Sequence, residues 1–190
     1  MPDQALWFAA RGAGAVSLLF LTASVVFGLV IVTRFERLAW PRFLSYEMHR
    51  RVSLLSVSFL GVHVLSAVLD PFTHLGLAAA LVPFASTYRP VPVALGVIAL
   101  YLFVALVATS LLRRRVGQRA WRVIHWASYA MWPLAVLHGL TAGTDALAPW
   151  MLGIDLLCVA AVAAALAWRI LARATMATPG ARRVIAGGGG

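Results

Sequence analysis

The chain has no lysine, one cysteine and only six acidic residues in a length of 190. With Cys158 alone there can be no internal disulfide and no dithiol redox relay. Its place inside an apolar run suits a small packing residue. Charged residues make up 12% of the chain, where a soluble domain carries about 25%. Heptads, solenoid repeats and a dinucleotide-binding glycine fingerprint are all missing, so coiled-coil, repeat and Rossmann readings fall away. The chain is expected to be one domain, too short for a second, soluble one.

What replaces the missing charge is hydrophobic sequence, 62% of residues. Five long apolar runs cover roughly residues 12–33, 48–70, 91–112, 121–142 and 150–168. Each is near the ~20 residues that cross a hydrocarbon core. Only helices satisfy their own backbone within a single span, so the expected class is all-α, an integral membrane bundle of about five transmembrane helices. The first run exceeds a signal-peptide core in length and has only Arg11 before it, so it is expected to be retained as a helix. The segment 71–90 is apolar but broken by Pro71, Pro83 and Pro90, and reads as an outer loop with an interfacial or re-entrant turn. The bundle is expected over 1–173, with a disordered cytoplasmic tail over 174–190 that ends in Gly187 to Gly190.

The net charge of +10 comes from sixteen arginines. A strongly basic chain suggests nucleic acid, but the distribution argues against it. Arg34, Arg37, Arg42, Arg50 and Arg51 follow the first run. Arg113, Arg114, Arg115, Arg119 and Arg122 follow the third, and Arg169, Arg173, Arg182 and Arg183 the fifth. The alternate connections hold only Arg11 and Arg89. This is the positive-inside pattern, and it places the N-terminus outside and the C-terminus in the cytoplasm of a cell (inner) membrane.

Four of the five histidines lie in apolar runs as two pairs, His49 with His63 and His125 with His138, spaced fourteen and thirteen residues apart. Each spacing spans roughly 20 Å of helix, most of a hydrocarbon core of about 30 Å. Both helices run from inside to outside, so His49 and His125 share an inner level, and His63 and His138 an outer one. Ionisable side chains inside a membrane are costly and point to function. Facing imidazoles at two levels suit the axial positions of two stacked b-type haems. The alternative for each histidine is an interhelical hydrogen bond.

Helical phase tests this. Fourteen residues at about 100° each return His63 to within roughly 40° of His49. Thirteen leave His138 about 140° from His125, so a distortion is expected near Pro133, which cannot bond the carbonyl of Tyr129. Around these sites, Arg50, Arg51, Arg119 and Arg122 could pair with inner propionates, with positive-inside anchoring as the alternative. Arg89 could meet outer propionates or an anionic acceptor, with loop solvation as the alternative. His74 fits neither pair and reads as a solvated loop residue. Trp126, Tyr129 and Trp132 could pack haem edges or serve as anchors. Asp70, Asp145 and Asp155 would make the outer face mildly acidic.

With these residues in place, Met48-His49-Arg50-Arg51 through Val62-His63 resembles the first ligand helix of the ferric reductase-like transmembrane domain. Thr109-Ser110, Arg113-Arg114, Trp121-Arg122-Val123-Ile124-His125, Tyr129 and His138 resemble the second. The spacings are those shared by ferric reductases and NADPH oxidases, and the resemblance covers roughly residues 45–142. It implies a bundle with two haems b and electron flow from cytoplasmic donors to outer acceptors. Full-length relatives carry a flavin and nicotinamide domain after the bundle. This sequence stops soon after its fifth run, so the expected role is an oxidoreductase component without its own flavin or NAD(P)H domain. Its donor would be a separate cytoplasmic flavin reductase or membrane quinone. The oxidases place a further histidine one turn past the outer ligand; here that position is Ala67, against a dedicated superoxide site. The short architecture resembles the haem subunit that feeds a periplasmic methionine sulfoxide reductase. An extracytoplasmic redox protein or a ferric chelate are the expected acceptors, and whether flavin or quinone also binds the bundle stays open. The rival readings are a structural or transport subunit whose histidines serve packing or a polar path.

Overall fold

The computed structural model describes residues 3–33, 40–71 and 75–177, with side chains over 4–33, 40–71 and 75–172. Among these residues the chain is all helix and loop. The helices are α1 (Asp3–Val32), α2 (Arg42–Leu69), α3 (Gly76–Leu81), α4 (Pro90–Leu111), α5 (Arg113–Val116), α6 (Gln118–His125), α7 (Ser128–Ala142) and α8 (Pro149–Ala177). His74, Arg34, Arg37, Arg182, Arg183 and the glycine end lie outside the described residues. α8 runs past the Arg173 boundary expected for the tail.

Gln4–Val32, Arg42–Leu69, Pro90–Leu111 and Pro149–Ala172 are each long and apolar enough to cross a membrane uninterrupted. The chain is a multi-pass integral membrane protein. The remaining apolar run is divided between α6 and α7, where a single helix was expected. The segment 71–90 contains only the six-residue α3, too short to span.

Proline and glycine set the ends. Pro41 precedes α2 in extended conformation, and Pro90 opens α4 after Arg89, whose φ of 42° is left-handed. Proline fits a first helical turn because its missing N–H has no intrahelical partner there. Gly117 joins α5 to α6 at φ 83° and ψ 154°, a region that essentially only glycine enters.

α1 is the central strut, packing along α2 on one side and against α7 and α8 on others; α4 packs on α7 and α6. α2 leans on α1 and stands off from α4 and α7, which leaves a slot between the two histidine-bearing helices. One apolar cluster joins Ala15, Leu18, Val136, Met151 and Cys158 across α1, α7 and α8. A second joins Leu21, Ala99, Phe103, Leu106 and Met131 across α1, α4 and α7. Trp132 bridges both clusters and donates to Thr22 Oγ1 at 2.9 Å. Large apolar side chains such as Leu54, Leu65, Val104 and Leu156 point outward, as lipid-facing residues do. Lipid gives no hydrophobic drive to helix association, so small residues and hydrogen bonds carry the contacts.

Gly117→Ala forces a side chain into the glycine-only region and is expected to cost about 1–3 kcal/mol. Thermal unfolding in detergent checks this, with Gly12→Ala, a position with open space around it, expected to be neutral.

Candidate functional site

Each histidine helix is backed by a helix without a histidine, α2 by α1 and α6–α7 by α4. Across the slot the four rings meet in the expected pairs. His49 and His125 have ring centres 6.2 Å apart with planes at 68°. His63 and His138 have centres 6.1 Å apart with planes at 77°. A metal–imidazole nitrogen bond is about 2 Å and a ring nitrogen lies about 1 Å from its ring centre, so imidazoles on opposite sides of one ion bring their centres about 6 Å apart.

The other ring nitrogens are held from behind. His49 Nδ1 donates to the Ser24 carbonyl at 2.9 Å, His63 Nδ1 to Ala10 at 2.6 Å and His138 Nδ1 to Pro92 at 2.8 Å. A carbonyl only accepts, so the proton of each of these rings sits on Nδ1, and Nε2 carries the free lone pair. This is how protein second shells orient metal-binding imidazoles. Ser24 and Ser53 share a hydroxyl contact of 2.7 Å beside His49. His125 is different: its Nδ1 is buried with no hydrogen-bond partner among the described residues. Its ring stacks on Trp121 at 4.8 Å and 26°. The guanidinium of Arg113 lies 4.2 Å over the same indole.

The thirteen-residue phase problem is solved between α6 and α7. Ala127 N–H bonds the Ile124 carbonyl at 2.9 Å, Tyr129 that of Trp126 at 3.1 Å, and Ala130 that of Ala127 at 3.0 Å. These are three-residue steps, which turn the chain by about 120° per residue against 100° in an α-helix. The extra rotation brings His138 round toward His63. The break lies upstream of Pro133, while α7 runs on through it. The proline withholds its N–H and crowds the Tyr129 carbonyl, and the tightened turn is the one that ends there.

Around His63 and His138 lies a cavity of about 480 Å³ whose walls include Gly14, Val97, Phe103 and Met131. Cofactor pockets measure roughly 300–1,000 Å³ and are mostly apolar. A smaller opening of about 230 Å³ lies between α2 and α4, lined by Leu60, Gly61, Phe103 and Val104. Among the described residues no three or more His, Cys, Asp or Glu gather for a bare ion. A bare zinc ion draws three or four protein ligands. Facing pairs of imidazoles instead suit an iron already held in a porphyrin plane, which needs only its two axial positions filled.

The charged residues sort less simply. Arg50, Arg119 and Arg122 are exposed at the end nearer His49 and His125. Arg51 is engaged with Glu47 at 2.7 Å. Arg89 donates to the Thr141 carbonyl at 2.7 Å and so closes the end of α7 without lining the cavity. Arg11 does line it. It is paired with Asp145 and donates to Thr144 Oγ1 at 2.6 Å. Sequence position alone ranked Arg89 above Arg11; the α7–α8 turn that holds Arg11 in place has no sequence signature. Trp126 is exposed and lies beside Tyr129, whose hydroxyl accepts from Arg169 at 2.7 Å; neither lines the cavity around His63 and His138. Asp70 and Asp155 are each 3% exposed and Asp145 is paired, so the expected acidic outer face does not form.

No curated protein and no solved structure matches this chain. The family model described as ferric reductase like transmembrane component matches residues 13–136, a stretch that holds His49, His63 and His125 and stops just short of His138. With most of the chain inside that match, the protein belongs to the ferric reductase-like transmembrane family.

Proposed function

We propose that the chain is the membrane cytochrome b subunit of an electron-transfer system, carrying electrons across a cell membrane through two b-type haems. The observation that carries this is the pair of facing imidazole couples at two depths, each at the separation that one axially ligated ion requires. His49 and His125 would hold the haem at the arginine-rich, cytoplasmic end, and His63 and His138 the haem at the outer end. Bound haem supplies reversible one-electron chemistry. The protein's part is to fix the axial nitrogens, to keep water from the apolar cavity, and to set charge around it. Arg50 and Arg122 stand at the inner end where propionates would emerge, and Arg11 at the outer wall of the cavity. Family membership supports a redox role. We assign the donor as a separate flavin reductase or a membrane quinone, and the acceptor as an outer redox protein or ferric chelate.

A dithionite-reduced minus oxidised spectrum of the purified protein is expected to show b-type bands, with two haems per chain. His63→Ala and His138→Ala should remove the same haem, and His49→Ala and His125→Ala the other. The near-perpendicular ring planes predict highly anisotropic low-spin ferric EPR signals rather than the rhombic signals of parallel imidazoles. Protein expressed with ample haem that carries none would overturn the reading.

Arg11→Gln should lower the midpoint potential of the outer haem and leave the inner one unchanged. The substitution removes a positive charge from the cavity wall and leaves Asp145 unneutralised beside it. Both changes favour the ferric state. Spectropotentiometric titration reads the two midpoints.

A further inference from the structure

The three carbonyls that hold histidines share a feature. Ala10, Ser24 and Pro92 each stand four residues before a glycine: Gly14, Gly28 and Gly96. In a helix a side chain leans toward the N-terminus and covers the turn before it. A glycine at the fourth position therefore uncovers the carbonyl one turn back. That carbonyl keeps its own helical bond and has a second lone pair for the imidazole N–H.

The fit differs between levels. A Cβ on Gly96 would lie 2.6 Å from His138 Nδ1 and 2.7 Å from its Cε1. A Cβ on Gly14 would lie 2.8 Å from His63 Nδ1 and 3.1 Å from its Cε1. Both rings are seated where any side chain would stand. At the other level a Cβ on Gly28 would meet His49 Cε1 only at 3.8 Å, an ordinary contact. The matching step of α4 falls at Thr109 or Ser110, so His125 has no notch at all. Ser110 Oγ accepts from Trp121 Nε1 at 3.3 Å, and that indole carries the His125 ring instead.

We infer that Gly14 and Gly96 are positioning residues for the outer pair: they seat the His63 and His138 rings against helix carbonyls and make the outer site rigid, while the inner site is set loosely. This rests on the two-haem reading above. Neither glycine touches the iron. They act by fixing where the two axial nitrogens point.

The test is haem content and EPR of Gly14→Ala, Gly96→Ala and Gly28→Ala, with Gly12→Ala and Gly153→Ala, both in open space and away from the cavity, as controls. The first two are expected to fall from two haems per chain to one, losing the signal that His63→Ala also loses. Gly28→Ala and both controls should keep two haems with unchanged signals. Alanine is a better helix former than glycine, and the retained inner haem shows that the bundle has assembled. Gly14→Ala and Gly96→Ala proteins with two haems and unaltered EPR would overturn the inference, as would loss of both haems at once. A wild-type protein without haem would instead overturn the cytochrome reading, and this inference with it.

Discussion

An imidazole buried in a membrane has one N–H that must be satisfied, and the rest of this bundle is arranged around that need. Leaving such a group without a partner costs about 1–3 kcal/mol by protein measurements, and water is not at hand in the hydrocarbon. Three of the four histidines solve the problem by reaching a helix carbonyl. That choice requires a second helix behind each histidine helix, close enough for a ring to touch its backbone. It explains why α1 and α4, which bring no histidine to the slot, run beside α2 and α6–α7. It also fixes the tautomer, so that all three rings turn the same nitrogen into the slot.

The arrangement has a consequence for packing. α1 supplies two carbonyls, and its position must hold while α2 leans on it and a slot stays open beyond. α8 presses on α1 through Ala15, Leu18, Met151 and Cys158, and Trp132 of α7 ties in through Thr22. α8 brings no histidine to the slot. Its part is to keep α1 from yielding toward lipid. The family match begins inside α1, upstream of the histidine-bearing helices, and ends before α8.

Much of this was legible in the sequence. Apolar run length marked the helices, and the fourteen-residue step put His49 and His63 on one face. Arginine placement put His49 with His125 and His63 with His138, the pairs the rings form. The thirteen-residue step even signalled that the second histidine-bearing segment could not be a regular helix. Its break falls at Trp126–Ala127, about two turns before Pro133; the shortened bonds run from there to Ala130, beside the Tyr129 carbonyl that the proline crowds. The orientation of Trp126 and Tyr129 was not legible, since it depends on that rotation. Nor was the preference for Arg11 over Arg89, because both are lone arginines at the same end and only the loop partners, Thr144 and Asp145 against Thr141, tell them apart.

The glycines were present in the sequence in a form that can be read only with the pairing of helices in hand. Gly14 and Gly28 repeat the fourteen-residue step of His63 and His49 in reverse order, as antiparallel partners must. A glycine in an apolar helix has many uses, and spacing alone does not choose among them. Once α1 and α2 are antiparallel neighbours, equal spacing on both helices demands contact at two levels; at Gly14 only a residue without a side chain lets the ring reach the backbone, while at Gly28 a Cβ would make an ordinary contact. α4 keeps one such position, Gly96, and has Thr109 and Ser110 where the second would fall. The fourth histidine therefore lost its carbonyl and gained Trp121, itself covered by Arg113. An aromatic face limits how a ring can tilt but gives its N–H nothing to bond. The inequivalence of the two levels is thus written into α4, the backing helix, and not into the histidines themselves.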